Sequence, residues 1–105
     1  MKRVDPIAEI IKRLTQVANP SFIILFGSQA RGTADPRSDF DIMVVEEHVE
    51  NRFKEMVRLR RALRGLVLPI DILVISLAEF LSLSKVPGTV YYHAVHEGTV
   101  LYEAA

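Results

Sequence analysis

Cysteine is absent from the 105 residues. No disulfide framework and no thiolate metal site can exist, and a reducing cytoplasm is the simplest compartment for such a chain. Glycine and proline are few, five of each, in a sequence that is half hydrophobic and a quarter charged. That balance excludes a fibrous or disordered chain and describes an ordinary packed protein. A net charge is missing too, because thirteen basic and thirteen acidic residues cancel. Bulk nucleic-acid binding, which needs a positive field to displace counterions, is therefore not expected. There is no unbroken apolar run of membrane-spanning length. The richest stretch, Gly65 to Leu83, is interrupted by Pro69, Asp71 and Glu79, and the opening MKRVDPIAEIIKRL reads as an amphipathic helix, so neither a membrane span nor an export signal is expected. A mass of 11.8 kDa has room for one compact domain over 1–105, with no separate acceptor-binding domain.

The patterning that is present alternates helices and short apolar strands. Val4, Ile7, Ile10, Ile11, Leu14 and Val17 recur at helical spacing behind Asp5-Pro6, which predicts a helix from Pro6 to Ala18. Asn19-Pro20 breaks it. Phe22 to Phe26 is a wholly apolar run suited to a strand buried on both faces, and Phe40 to Val45, which contains Asp41, and Ile70 to Ile75 are the second and third strands. Phe53, Met56, Val57, Arg60 and Leu63 or Arg64 mark a helix between the second and third strands. Ser76 with Glu79 forms a capping box for a helix over Leu77 to Leu83. Pro87-Gly88-Thr89 restarts the chain, a helix over Val90 to Glu97 stops at Gly98, and Thr99 to Tyr102 is the last expected strand. The expected class is α/β (α+β), a small mixed sheet flanked by helices.

Three acids carry the chemical signal. Asp39 and Asp41 stand two apart at the start of a strand, so alternation sends both side chains to one face while Phe40 and Ile42 go to the other. Two carboxylates in one small space repel unless a cation sits between them, and oxygen-only ligation suits Mg²⁺. Asp71 lies between Ile70 and Ile72 in a strand that otherwise favours burial, so its charge demands a metal or a partner, and a salt bridge to an arginine is the competing explanation. Gly27-Ser28 follows a buried strand and leads into Gln29-Ala30-Arg31-Gly32, a stretch able to aim backbone N–H groups and a hydroxyl at a phosphate. A plain turn capped by Ser28 would look the same. If the acids are to meet phosphates held at Gly27, the first strand must run antiparallel to the second, and the second parallel to the third with the arginine-rich helix as crossover.

Gly27-Ser28, ten residues, then Asp39-Phe40-Asp41 resembles the signature of the DNA polymerase beta-like nucleotidyltransferase superfamily, and the fuller GSQARG…SDFDI resembles its minimal branch. The resemblance implies a single-domain nucleotidyltransferase fold. It further implies two Mg²⁺ ions held by Asp39, Asp41 and Asp71, with ATP as the nucleotide donor and attack on its α-phosphorus. Gly27 and Ser28 would hold the β- and γ-phosphates; Arg31 would assist them or brace the loop. In the minimal branch the implied role is a cytoplasmic antitoxin that adenylylates a HEPN-domain toxin, with which it would assemble. Two alternatives stay open, a non-catalytic antitoxin that neutralises by contact and nucleotidylation of a small molecule. Outside the motif, Arg58, Arg60, Arg61 and Arg64 read as a solvated basic face that could receive an acidic partner surface. His93 and His96 lack a third metal ligand nearby and read as surface or half-buried. Tyr91, Tyr92, Phe22, Phe26, Phe40 and Phe53 read as core.

Overall fold

Asp5 starts the first helix chemically: its carboxylate accepts a hydrogen bond from the Ile7 amide at 3.0 Å, and Pro6 takes a first-turn position where a missing N–H costs nothing. In the computed structural model, which describes residues 5–27, 30 and 39–105, this helix is α1 (Pro6–Val17). It is followed by β1 (Pro20–Phe26), β2 (Phe40–Glu46), α2 (Arg52–Ala62), β3 (Ile70–Ser76), α3 (Leu77–Leu83), α4 (Val90–Glu97) and β4 (Thr99–Glu103). The Ser76 cap expected from the sequence is made, and Thr89 supplies another. Ser76 Oγ accepts from the Glu79 amide at 3.3 Å and Thr89 Oγ1 from the Tyr92 amide at 3.2 Å. Asn51, which the sequence reading did not single out, caps α2 by accepting from the Lys54 amide at 3.0 Å.

The strands form one mixed sheet in the order β3-β2-β1-β4. β1 is antiparallel to both β2 and β4, while β2 and β3 run parallel with α2 as the crossover. This is the topology that convergence of the acids demanded. Period-two alternation divides the apolar residues between two faces. Ile23, Leu25, Ile42, Val44, Ile72 and Val74 pack under Ile10 and Leu14 of α1 and Leu59 of α2. On the opposite face Ile24, Met43, Val45 and Ile75 pack under Phe80 of α3 and Ala94 of α4.

One expectation is corrected. Phe53 is 69% exposed, not core, because α2 turns Met56, Leu59 and Leu63 toward the sheet and only Leu59 of the helix is fully buried. That phase leaves Phe53 on the outer side. Gly98 stops α4 as expected, its amide donating to the Ala94 carbonyl at 3.0 Å, and its φ of −82° is one that any residue adopts. Its smallness matters instead: an added Cβ would lie 2.3 Å from the Ala94 oxygen and 2.8 Å from the Leu25 oxygen. Helix and strand close on each other there.

Candidate active site

Strand register builds the site. Phe26 pairs with Asp41 across β1 and β2, and Asp41 pairs with Asp71 across β2 and β3. Paired residues on neighbouring strands point to the same face about 4.8 Å apart, so Asp41 and Asp71 are side by side. Asp39 lies immediately before β2 on that same face, and its carboxyl is within hydrogen-bonding reach of Asp71. The structure thus brings together the three acids singled out in the sequence. Repulsion within the row raises the proton affinities of Asp39 and Asp41. Asp39 is held above the ordinary carboxylate range by its hydrogen bond to Asp71, by the Asp71 charge and, least, by slight desolvation. Asp41 is raised first by burial and then by the charges of Asp71 and Asp39.

Gly27 closes the row. Its φ of +74° lies in the left-handed region that a side chain disfavours, and a Cβ built on it would fall 2.3 Å from Asp41 Oδ2. The absent side chain is what lets the end of β1 lie against the Asp41 carboxylate. Ser28 and Arg31, the other two residues expected to touch phosphate, lie outside the described residues.

Asp71 also has the arginine partner that the sequence left open. Arg60 of α2 places Nη2 3.6 Å from Asp71 Oδ1, with both side chains about half exposed. Among the described residues no three carboxylate or imidazole groups already stand at chelating distance around one point. A shared ion would have to draw the acids closer. The donor set nonetheless fits Mg²⁺: it is all oxygen, it crowds like charges that a hard cation would relieve, and Gly27 leaves open backbone beside it.

A second cluster escaped sequence reasoning. Glu46, at the far end of β2, is 7% exposed, and its carboxyl is pushed up to about 8 by burial and by its hydrogen bond to Glu55. Glu55 is held down to about 2, chiefly by Arg58, which donates to both of its oxygens at 2.7 and 2.8 Å. Arg58 also donates to the Val17 carbonyl, so this exposed arginine ties α2 to the end of α1. An apolar strand ending in glutamate was the available signal. His93 and His96 are both exposed, and His96 stacks on Tyr92 with ring centroids 4.0 Å apart.

The fold defined by this sheet and its helices is the α/β nucleotidyltransferase fold. Solved structures share it, among them the following three. A toxin-antitoxin crystal structure with AMP-PNP aligns at TM-score 0.61 and 23% identity, over 93% of this chain and 73% of that one. A protein from Sulfolobus solfataricus assigned as a nucleotidyltransferase aligns at TM-score 0.64 and 21% identity, over 98% and 92%. A toxin-antitoxin MntA-HpeT mutant aligns at TM-score 0.57 and 21% identity, over 96% and 75%. No curated protein matches significantly by sequence. Residues 8–105 match the family model "Polymerase beta, Nucleotidyltransferase". The chain belongs to that family. Among the described residues no helix is long and apolar enough to cross a membrane.

Proposed function

We propose that this chain transfers AMP from ATP to a hydroxyl on a protein, as the antitoxin of a pair whose toxin carries a HEPN domain. The observation that carries the reading is the meeting of Asp39, Asp41 and Asp71 beside Gly27. Support for a protein partner comes from the neighbouring folds, which belong to toxin-antitoxin assemblies.

Asp39 and Asp41 would hold two Mg²⁺ ions, and Asp71 would complete the site nearer the acceptor. Bound there, the ions would neutralise phosphate charge and lower the proton affinity of the acceptor hydroxyl. The triphosphate would enter on the Gly27 side, with Ser28 and Arg31 as further contacts. The acceptor would approach on the Asp71 side. Its oxygen would form a bond to the α-phosphorus as the α–β bridging P–O bond breaks; pyrophosphate would leave, and Asp71 would take the hydroxyl proton. Alignment and charge neutralisation supply most of such a rate, since little covalent help is needed from the protein.

A contact-only antitoxin is the second reading, favoured by the outer side of α2. Phe53, Val57 and Arg61 follow one another at i, i+4, i+8, and Phe53 is 69% exposed. One experiment separates the two. Labelled ATP and Mg²⁺ are incubated with the chain and the product of the adjacent gene, using wild type and Asp39→Ala/Asp41→Ala. Label on the partner with wild type alone is the expected result. Neutralisation that persists in the double variant, with no label in either, assigns the function to contact.

A further inference from the structure

We propose that Arg60 is a built-in counterion of the acid cluster, holding Asp71 while no divalent ion is bound and releasing it when one arrives. The proposal rests on reading Asp39, Asp41 and Asp71 as ligands of that ion.

The path of the side chain is the first argument. Ile70 and Ile72 face α2, and Asp71 between them points to the other face. Arg60 therefore starts on the face opposite to its partner. With Leu63, Leu68, Ile70 and Ile72 it lines a cavity of about 310 Å³, and from there its guanidinium rounds the outer edge of β3 to reach Asp71 Oδ1 at 3.6 Å. Because β3 is the last strand on its side of the sheet among the described residues, no neighbouring strand blocks that route.

Charge is the second. Three carboxylates share one face, and among the described residues Arg60 is the cation paired with them. Its neighbours are differently employed: Arg58 is locked to Glu55 through two hydrogen bonds, whereas Arg61 makes no ion pair with a described carboxylate. The third argument is weakness. Side-chain exposures of 53% and 56%, with a single contact at 3.6 Å, make this an ion pair that water screens and a divalent ion can displace. A buried bidentate pair at the same position would lock Asp71 away from any metal. As built, Arg60 steadies the empty site and sets the ion concentration at which it fills.

The test uses the intact chain and Mn²⁺ alone, with affinity read by calorimetry or by the paramagnetic signal of the free ion, and with thermal melts run beside it. Wild type, Arg60→Gln, Arg60→Lys, Arg61→Gln and Asp41→Asn are compared. Arg60→Gln is expected to melt lower without metal and to bind Mn²⁺ about two- to fivefold more tightly, the range that loss of an exposed pair allows. Arg60→Lys should restore both values most of the way, and Arg61→Gln should match wild type. Equal or weaker Mn²⁺ binding by Arg60→Gln, while Asp41→Asn loses binding, overturns the counterion role alone. An equal gain in Arg61→Gln also overturns it, since any removed cation would then serve. Failure of wild type to bind Mn²⁺ removes the metal site itself, and this proposal with it.

Discussion

Gly27 bears the tightest constraint on any single residue of the site, because backbone conformation and space both forbid a side chain there. Gly27→Ala should cost about 1–2 kcal/mol for the left-handed backbone alone. The clash with Asp41 Oδ2 adds to that and pushes the carboxylate out of the row. A melting point lowered by roughly 4–8 °C per kcal/mol, together with lost Mn²⁺ binding, is the expected outcome. A variant that melts lower yet binds Mn²⁺ normally would show that the approach of Gly27 to Asp41 does not matter to the site. At this scale the acids were legible, since alternation alone puts Asp39 and Asp41 on one face and an aspartate inside an apolar strand advertises itself. Arg60 was not, because its reach around β3 depends on how α2 is rotated and on which strand ends the sheet. Neither is written in the spacing of residues 58–64.

Among the elements, the strands and caps followed from local chemistry, whereas the orientation of α2 did not. FKEMVRLRRAL offers apolar residues at two competing phases, and only contact with the sheet chooses Met56, Leu59 and Leu63 over Phe53 and Val57. The same helix presents Glu55 and Arg58 to the end of β2, which creates a pH-dependent joint. Glu46 binds its proton more tightly in the fold than its ordinary value of 4.5. The stability linked to that proton is fully present below about pH 4.5 and is lost as pH rises through about 8. Glu46→Gln keeps the neutral hydrogen bond and removes the loss. Its melting point should match wild type at pH 4 and exceed it by a margin that widens up to about pH 8 and then levels. A margin that is constant across pH would mean that Glu46 is not the titrating group. Glu55 moves the other way: Arg58 holds its carboxylate charged, and that contribution fades only as acid takes the pH below 4.5 toward 2.

Across the whole molecule, the sheet order was recoverable from function more than from pattern. Hydrophobic runs do not state which strands are neighbours, but the need for three acids and one turn to meet left a single arrangement of β1, β2 and β3. The place of β4 had no such guide. It pairs with the free side of β1, with Thr99 opposite Leu25, and this brings Gly98 against the Leu25 carbonyl only two residues from Gly27. A residue near the end of the chain thus shares a wall with the site. Any side chain at position 98 must wedge α4 away from β1, since both obstructing oxygens belong to backbone and cannot rotate aside. Gly98→Ser is the expected temperature-sensitive allele, folded and competent for Mn²⁺ in the cold and losing the ion on mild warming before the sheet itself melts. Random screens for conditional loss of function should return to this position, however remote it looks on the printed sequence.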